Sequence, residues 1–329
     1  MILGIESTAH TFGIALVDKG KILCNIKDMY TTEKGGIIPM ESAKHHRKVA
    51  DILYKKALEE AGINEEKIRA IALSRSPGLA PCLLAGLEFA KKKAQELGIP
   101  LIGVNHCVAH LEIGKITGAS DPVLLYASGA NTQIIAYASG KYRVFGETLD
   151  LGVGNFIDTI GRYMGRGFPA GPAISDLADR SDRYIELPYS IKGMDVSFSG
   201  LQNKIRQMIE RKEYKNEDIA YSMQETIFAM LVEAAERALA HTGKKELLLG
   251  GGVACNKRLQ EMCKIMCKER GCKFFCPERS LLVDNAAMIA FTGEIMLKKE
   301  KGVVVGSKEF KEFDMDPRER TDQVYVSWK

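Results

Sequence analysis

The sequence predicts an α/β protein built from two related lobes whose polar turns face a shared cleft. Three observations carry that prediction. The chain has 329 residues, enough for two hydrophobic cores. A strand–turn–strand unit occurs twice, each time followed by a further hairpin. A third polar turn, made of three glycines, follows a buried-type strand late in the chain.

The first unit runs from Ile2-Leu3-Gly4-Ile5 through Glu6-Ser7-Thr8-Ala9-His10-Thr11 into Phe12-Gly13-Ile14-Ala15-Leu16-Val17. Short apolar runs bounded by Ser, Thr and Gly read as strands, and Asp18-Lys19-Gly20-Lys21 turns the next hairpin. Helical spacing governs residues 42–61, where Val49, Ile52, Leu53 and Ala57 recur on one face until Gly62 stops the run. A second helix covers 80–97, stopped by Gly98 with Pro100 beyond. The stretch 114–122 reads as the boundary between an N-terminal lobe over 1–115 and a C-terminal lobe over 116–329. The second unit is Val123-Leu124-Leu125-Tyr126, the turn 127–132 and Gln133-Ile134-Ile135-Ala136-Tyr137, with Ala138-Ser139-Gly140-Lys141 closing its hairpin. Finally, Leu247-Leu248-Leu249 leads into Gly250-Gly251-Gly252, and Val253-Ala254-Cys255-Asn256 opens a helix running to residue 270. Glycines let a ligand approach the backbone, and the start of a helix offers unpaired amides. After Pro277, Asp284-Asn285-Ala286 enters another helix, with Asp284 either its N-cap or a metal ligand.

The charge balance is too even to mark a nucleic-acid binder by itself, because 46 basic and 42 acidic residues leave only +4. Local clusters therefore matter more. His45-His46-Arg47-Lys48, Lys55-Lys56 and Lys91-Lys92-Lys93 are either solvated helix faces or parts of a patch facing a nucleic acid. The first residues form a strand without a basic leader, and no apolar run reaches spanning length, so a cytoplasmic protein off the membrane is expected. Cys263, Cys267, Cys272 and Cys276 depart from zinc-knuckle spacing and read as packed thiols, with a metal or redox role as the alternative.

The chemistry concentrates in two neighbouring stretches. In His106-Cys107-Val108-Ala109-His110 two imidazoles four residues apart share a helix face and can share a metal ion, although such pairs also occur as core histidines. Tyr126-Ala127-Ser128-Gly129-Ala130-Asn131-Thr132 follows an apolar strand and has the small, donor-rich composition of a phosphate-cradling turn, or of a plain hairpin closure. Their proximity suggests an enzyme acting on a nucleotide or phosphoryl compound.

Further motifs make the chain recognisable: Leu187-Pro188-Tyr189, Lys192-Gly193-Met194-Asp195, Ser197-Phe198-Ser199-Gly200-Leu201, and Gly251-Gly252-Val253-Ala254 with Asn256. Together with the two stretches above, the sequence resembles the universal tRNA threonylcarbamoyladenosine transferases from Ile2 to about Trp328. The short Cys-Val-Ala spacer and Asp316-Pro317-Arg318 place the likeness in the archaeal and eukaryotic branch, the catalytic subunit of the KEOPS complex, formerly called O-sialoglycoprotein endopeptidase.

The resemblance implies a two-lobed actin-like ATPase fold around a nucleotide cleft, in agreement with the duplicated units. It implies one divalent metal, Fe2+ first and Zn2+ second, on His106, His110, Tyr126 and Asp284. It implies an adenine nucleotide substrate, threonylcarbamoyl-AMP, with Tyr126, Ala127, Ser128, Gly129 and Ala130 along the phosphate or acyl group. Asp158 would meet the ribose with Gly171 and Ser175 on the same side, and Asn256 would contact the phosphate or adenosine. The Ser128 and Gly129 amides would stabilise a developing oxyanion. The implied reaction transfers threonylcarbamoyl to the adenosine 3′ of the anticodon in tRNAs reading ANN codons. Implied partners are tRNA, a small kinase/ATPase, a small dimerising subunit and a tRNA-binding subunit.

Three positions depart from the family pattern: Ser175 with the acid one place later at Asp176, Ser76-Pro77-Gly78 for Gly-Pro-Gly, and Glu6-Ser7-Thr8 for Glu-Gly-Thr. Other functions fit less well. Cys107 stands where a zincin helix needs its glutamate. A small-molecule kinase holds its metal largely through phosphates and needs no such cage. A metal-free scaffold would not need all four ligands.

Overall fold

The computed structural model describes residues 1–32, 36–299 and 302–329. The first strand–turn–strand unit forms β1 (Ile2–Glu6), β2 (Thr11–Asp18) and β3 (Lys21–Met29). Helix α1 (Pro39–Ala61) follows, then β4 (Ala70–Ser76), α2 (Ala80–Leu97), β5 (Leu101–Asn105) and α3 (His106–Ile113). The sheet order is β3-β2-β1-β4-β5, with β1 antiparallel to β2 and parallel to β4. All five β1 residues are buried, as expected of a strand covered on both faces. On one face Leu53, Tyr54 and Ala57 of α1 and Leu87, Phe89 and Ala90 of α2 pack on Leu3, Ile5 and Ile14.

The second unit repeats this plan with β6 (Val123–Ala127), β7 (Thr132–Ala138) and β8 (Lys141–Glu147). Helices α4 (Val153–Tyr163) and α5 (Gly171–Ala178) follow, then a small hairpin of β9 (Ile191–Lys192) and β10 (Asp195–Val196), then α6 (Ser199–Arg211) and α7 (Asn216–Thr242). Next come β11 (Glu246–Gly250), α8 (Lys257–Glu269), β12 (Lys273–Phe275), α9 (Arg279–Leu282), α10 (Ala286–Leu297) and α11 (Lys308–Glu312). This sheet has the order β12-β11-β6-β7-β8, an antiparallel triplet extended by two parallel strands as in the first sheet. Its core is lined by Phe156 of α4, Ile205 of α6, Phe228 of α7 and Leu259 of α8. The fold is thus the duplicated, two-lobed actin-like ATPase fold.

The first sheet's other face is covered from far along the chain: Ala286, Ala287 and Ala290 of α10 pack on Ile2, Ala15 and Ala72. Val303, Phe310 and Phe313 also join the first core, so these parts of the expected 116–329 lobe pack with the N-terminal sheet. Helix α3 lies between the sheets with every residue buried. Ala109 and Ile113 face the first core, whereas Cys107, Val108 and Leu111 face the second.

Several local expectations are refined. Helix α1 begins at Pro39, a favoured first helical residue, and Ile52 lies outside the core at 50% exposure. The helix expected from Val253 starts later: a 3-10 turn spans Gly252–Cys255, and the Asn256 side chain then caps α8. The basic reading of 45–48 fails at His46, which is fully buried. Its neighbours are paired, His45 with Asp28 at 2.8 Å and Arg47 with Glu88 at 3.0 Å. Cys263 and Cys267 pack into the second core as free thiols, and burial pushes the thiols of Cys267 and Cys276 up to about 11. Among the described residues no helix is long and apolar enough to cross a membrane.

Candidate metal centre and nucleotide cleft

Helix α3 starts at the end of β5, where Asn105 accepts hydrogen bonds from the amides of Cys107 (3.1 Å) and Val108 (3.2 Å). This N-cap sets the first turn, so His106 and His110 emerge on one side with ring centroids 4.8 Å apart. Tyr126, one residue from the end of β6, brings its hydroxyl to 3.1 Å from His106 Nε2, and its ring centroid lies 4.9 Å from that of His110. Asp284 arrives from the segment before α10, with Oδ1 3.3 Å from His106 Nε2 and 3.7 Å from His110 Nε2. One nitrogen from each imidazole and one Asp284 oxygen all lie within 4.8 Å of one another.

Asp284 is not the N-cap of α10, because its neighbour takes that place. Asn285 is the N-cap of α10, accepting from the Met288 amide at 2.9 Å, while its Nδ2 donates to the carbonyls of Leu281 (3.1 Å) and Val283 (2.8 Å). Asp284 is thereby released toward the histidines, and Lys27 Nζ donates to its carbonyl at 3.3 Å.

Behind His106 stands a residue whose role local sequence did not reveal. Glu6, fully buried at the end of β1, has Oε2 3.0 Å from His106 Nδ1. Its Oε1 accepts from the Thr8 amide at 2.8 Å and from the Thr8 hydroxyl. The carboxylate selects the Nδ1–H tautomer and turns Nε2 toward Tyr126 and Asp284, an arrangement common behind metal-bound imidazoles. Glu6 was placed in the cleft by its turn, but no pattern links it to a histidine a hundred positions away.

The electrostatics follow from this geometry. Burial disfavours a charged His106, but Glu6 and Asp284 outweigh it and hold the ring well above its ordinary pKa. Burial prevails at His110, whose pKa is lowered despite Asp284. Asp284 is held well below the carboxylate range by the histidines, chiefly His106, against its own desolvation. Burial pushes the Tyr126 phenol well up. Among the described residues neither ring nitrogen of His110 has a hydrogen-bond partner, and both are buried. Unpartnered buried polar atoms are costly, and a cation bridging His110, His106, Asp284 and Tyr126 would satisfy one of them. Two imidazoles with two oxygen donors suit iron or zinc, so the residues fit the group.

The Ser128 turn lies beside this cluster: Asn131 Nδ2 is 4.0 Å from Cys107 Sγ on α3. The turn is self-bonded, because Ser128 donates both its amide (2.8 Å) and its hydroxyl (3.0 Å) to the Asn131 carbonyl. The expected oxyanion role of the Ser128 amide is therefore corrected, since that N–H is already taken up. Among the described residues the amides of Gly129 and Ala130 have no protein acceptor. The start of α4 packs on the turn, with the Gly154 amide donating to Ser128 (3.0 Å) and the Asn155 amide to Gly129 (2.9 Å). The third turn approaches from the other side. Gly251 has φ +89°, and a Cβ there would sit 2.4 Å from the Ala127 carbonyl oxygen, so only glycine fits.

The remaining expected residues form one wall. Asp158 on α4 accepts from the Ala170 amide at 2.7 Å, next to Gly171 at the start of α5. Burial raises its pKa. Asn256 donates to Ser175 Oγ at 3.3 Å and to Gln224 Oε1 at 2.8 Å. Ser175 thus occupies the inner position while Asp176, one place on, is exposed. Among the described residues no hydrogen bond joins Asp158, Gly171 or Ser175 to the His106 cluster. His10 contributes in the same direction to both sides, favouring the charged forms of Asp158 and Asp284.

Two lobes of repeated topology, with polar turns meeting at a buried His-His-Tyr-Asp cluster, define an actin-like ATPase-fold protein with a candidate metal centre in its cleft. The family profile of tRNA N6-adenosine threonylcarbamoyltransferase matches residues 21–291. The enzyme of that name from Thermococcus sibiricus is 52% identical over 326 residues, covering 99% of both chains. A probable bifunctional tRNA threonylcarbamoyladenosine biosynthesis protein of Methanosarcina mazei is 50% identical over 99% of this chain, which spans 59% of that protein. Among solved structures, T. kodakarensis HypF shares the fold at TM-score 0.59 and 15% identity, covering 91% of this chain and 48% of HypF. The chain belongs to the tRNA N6-adenosine threonylcarbamoyltransferase family. It is a transferase that modifies tRNA.

Proposed function

We propose that the chain transfers the threonylcarbamoyl group of threonylcarbamoyl-AMP to the N6 amine of the adenosine 3′ of the anticodon, in tRNAs reading ANN codons. A C–N bond forms between N6 and the carbamoyl carbon, the C–O bond from that carbon to the phosphate breaks, and AMP leaves while the N6 proton passes to the released phosphate or to solvent. His106, His110, Tyr126 and Asp284 would hold one divalent cation, Fe2+ first and Zn2+ second. Bound there, the cation supplies Lewis-acid polarisation and a template for the acyl donor.

The chain's own groups do the rest. Glu6 keeps a proton on His106 Nδ1 and so holds Nε2 toward the cleft. Tyr126 and Ala127 lead into the turn Ser128-Gly129-Ala130, which lies along the phosphate, and the Gly129 and Ala130 amides stabilise the developing oxyanion. Asp158 accepts from the ribose, Gly171 and Ser175 line the same side, and Asn256 meets the phosphate or adenosine from the third turn. The lobes expected over 1–115 and 116–329 close the cleft around donor and amine, aligning them for attack. An anticodon loop presents an unpaired base that can enter such a cleft.

The reaction takes place in the cytoplasm, with a small kinase/ATPase, a small dimerising subunit and a tRNA-binding subunit as partners. The bifunctional name of the Methanosarcina mazei relative supports company of this kind. A formal charge of +4 suits a subunit that shares tRNA binding with others.

The observation that carries the metal reading is buried His110, which makes no ring hydrogen bond among the described residues and faces Asp284 at 3.7 Å beside His106. The test is threonylcarbamoyl transfer to an anticodon-loop adenosine, with synthetase and partner subunits present, for wild type and His106→Ala. Metal content is measured on the same preparations. Activity and metal lost together support the reading, whereas an active, metal-free wild type overturns the cage.

A further inference from the structure

Segment 316–329 follows α11 and crosses α3 along Cys107, Val108 and Leu111. It touches the helix at three places. At the start, Glu319 Oε2 accepts from Asn105 Nδ2 at 3.2 Å and also from the Ser76 hydroxyl. That bond fixes which way the Asn105 amide points, leaving its Oδ1 for the Cys107 and Val108 amides. In the first turn, the buried Thr321 side chain interacts with the Cys107 thiol and opposes the rise that burial gives its pKa. In the last turn, Trp328 Nε1 donates to Glu112 Oε1 at 2.9 Å.

Glu112 is a fully buried carboxylate on the helix that carries both histidines. Besides Trp328, it takes the Tyr142 hydroxyl from β8 and faces Lys115. The segment is itself anchored, since the Val326 amide donates to Gly140 at 3.1 Å and Arg320 pairs with Glu147 at 3.1 Å. Its apolar residues Val324, Val326 and Trp328 pack with Cys107, Val108, Leu111 and Tyr126. An eight-residue helix is too short to hold its position by its own hydrogen bonds, so these outside contacts set where its face points.

We propose that segment 316–329 is a strap that positions α3, with Glu319 and Trp328 as positioning residues for His106 and His110. The catalytic relevance of the strap rests on the metal reading above, but its hold on α3 does not. Loss of the Trp328 donor also removes one of the two hydrogen bonds on Glu112 Oε1, leaving that buried oxygen with the Tyr142 hydroxyl alone.

The test uses full-length Trp328→Phe, which keeps most of the bulk and loses the N–H, and Glu319→Gln, which keeps an acceptor oxygen and loses the charge. Two readouts separate the two claims. The first is amide hydrogen exchange in metal-free protein. The strap predicts that exchange of the α3 amides rises about tenfold in both variants while α1 and α7 amides stay unchanged. Unchanged α3 protection overturns the strap, and loss of protection throughout the chain also overturns it as a local device. The second is titration with Co2+ followed by its visible spectrum. The expected result is affinity about 10–100-fold weaker with an altered spectrum, as is typical when support behind a ligand is lost. Wild-type affinity and spectrum in variants with loosened α3 overturn the link from strap to histidines. A wild type that binds no Co2+ overturns the metal reading and leaves the strap to be decided by exchange alone.

Discussion

Glu6 Oε2 sits 3.0 Å from His106 Nδ1, on the edge of the ring opposite Tyr126 and Asp284. His106 Nε2 is therefore turned toward Tyr126 and Asp284 by a carboxylate at the end of the first strand. Glu6→Gln keeps the size but replaces the acceptor charge with an amide that can turn either end to the ring. Metal affinity is expected to fall about 10–100-fold, measured by competition with a chromogenic chelator. Unchanged affinity would show that Glu6 only fills space.

Asn285 performs two tasks with one side chain, capping α10 through Oδ1 and holding the carbonyls of Leu281 and Val283 through Nδ2. In Asn285→Asp the cap acceptor stays, while the two donated bonds are lost and a charge is placed at a fully buried position. Denaturant unfolding should show a loss of about 1–3 kcal/mol. Metal binding should weaken as well, since Asp284 is the neighbouring residue. A stable variant with full metal affinity would contradict the placement of Asp284 by its neighbour.

His46 gives the acid dependence of stability. Burial, reinforced by His45 beside it and opposed by its bond to the Ala9 carbonyl, lowers its pKa to about 4 from the ordinary 6.5. The folded protein then binds fewer protons here than the unfolded chain between those values. Its contribution is fully present above about pH 6.5 and is lost as pH falls toward about 4, amounting to at most about 3 kcal/mol. His46→Gln should flatten the stability difference between about pH 7 and about pH 5, read by urea unfolding. A parallel fall in wild type and variant would rule His46 out as the source.

The legibility of the chain follows physical range. Strands β1, β2, β6 and β7 and helix α2 were visible because their patterns are local, and the duplication showed as two like turns. The His106/His110 pair was visible for the same reason, since four residues on a helix fix a shared face. Tyr126 came as a ligand only through family resemblance, and Asp284 stood locally as either an N-cap or a ligand: nothing local in either stretch says that the duplicated sheets bring them together. Glu6 and Asn285 were missed as supports because the partner of one is a distant histidine, and the Asp-Asn pair offers two possible caps. The inward turn of His46 in the 45–48 cluster was not legible, because charge counts do not record burial. That helix 286–297 covers the first sheet was not legible for a related reason, as an apolar helix does not state which sheet it will cover.

The central claim is that His106, His110, Tyr126 and Asp284 share one metal ion. The most direct measurement is anomalous diffraction from crystals of anaerobically purified protein, recorded at the iron and zinc absorption edges. The account predicts a single strong peak bounded by His106 Nε2, His110 Nε2, the Tyr126 hydroxyl and an Asp284 carboxylate oxygen. A peak elsewhere, or none in protein that still transfers threonylcarbamoyl to tRNA, would contradict it.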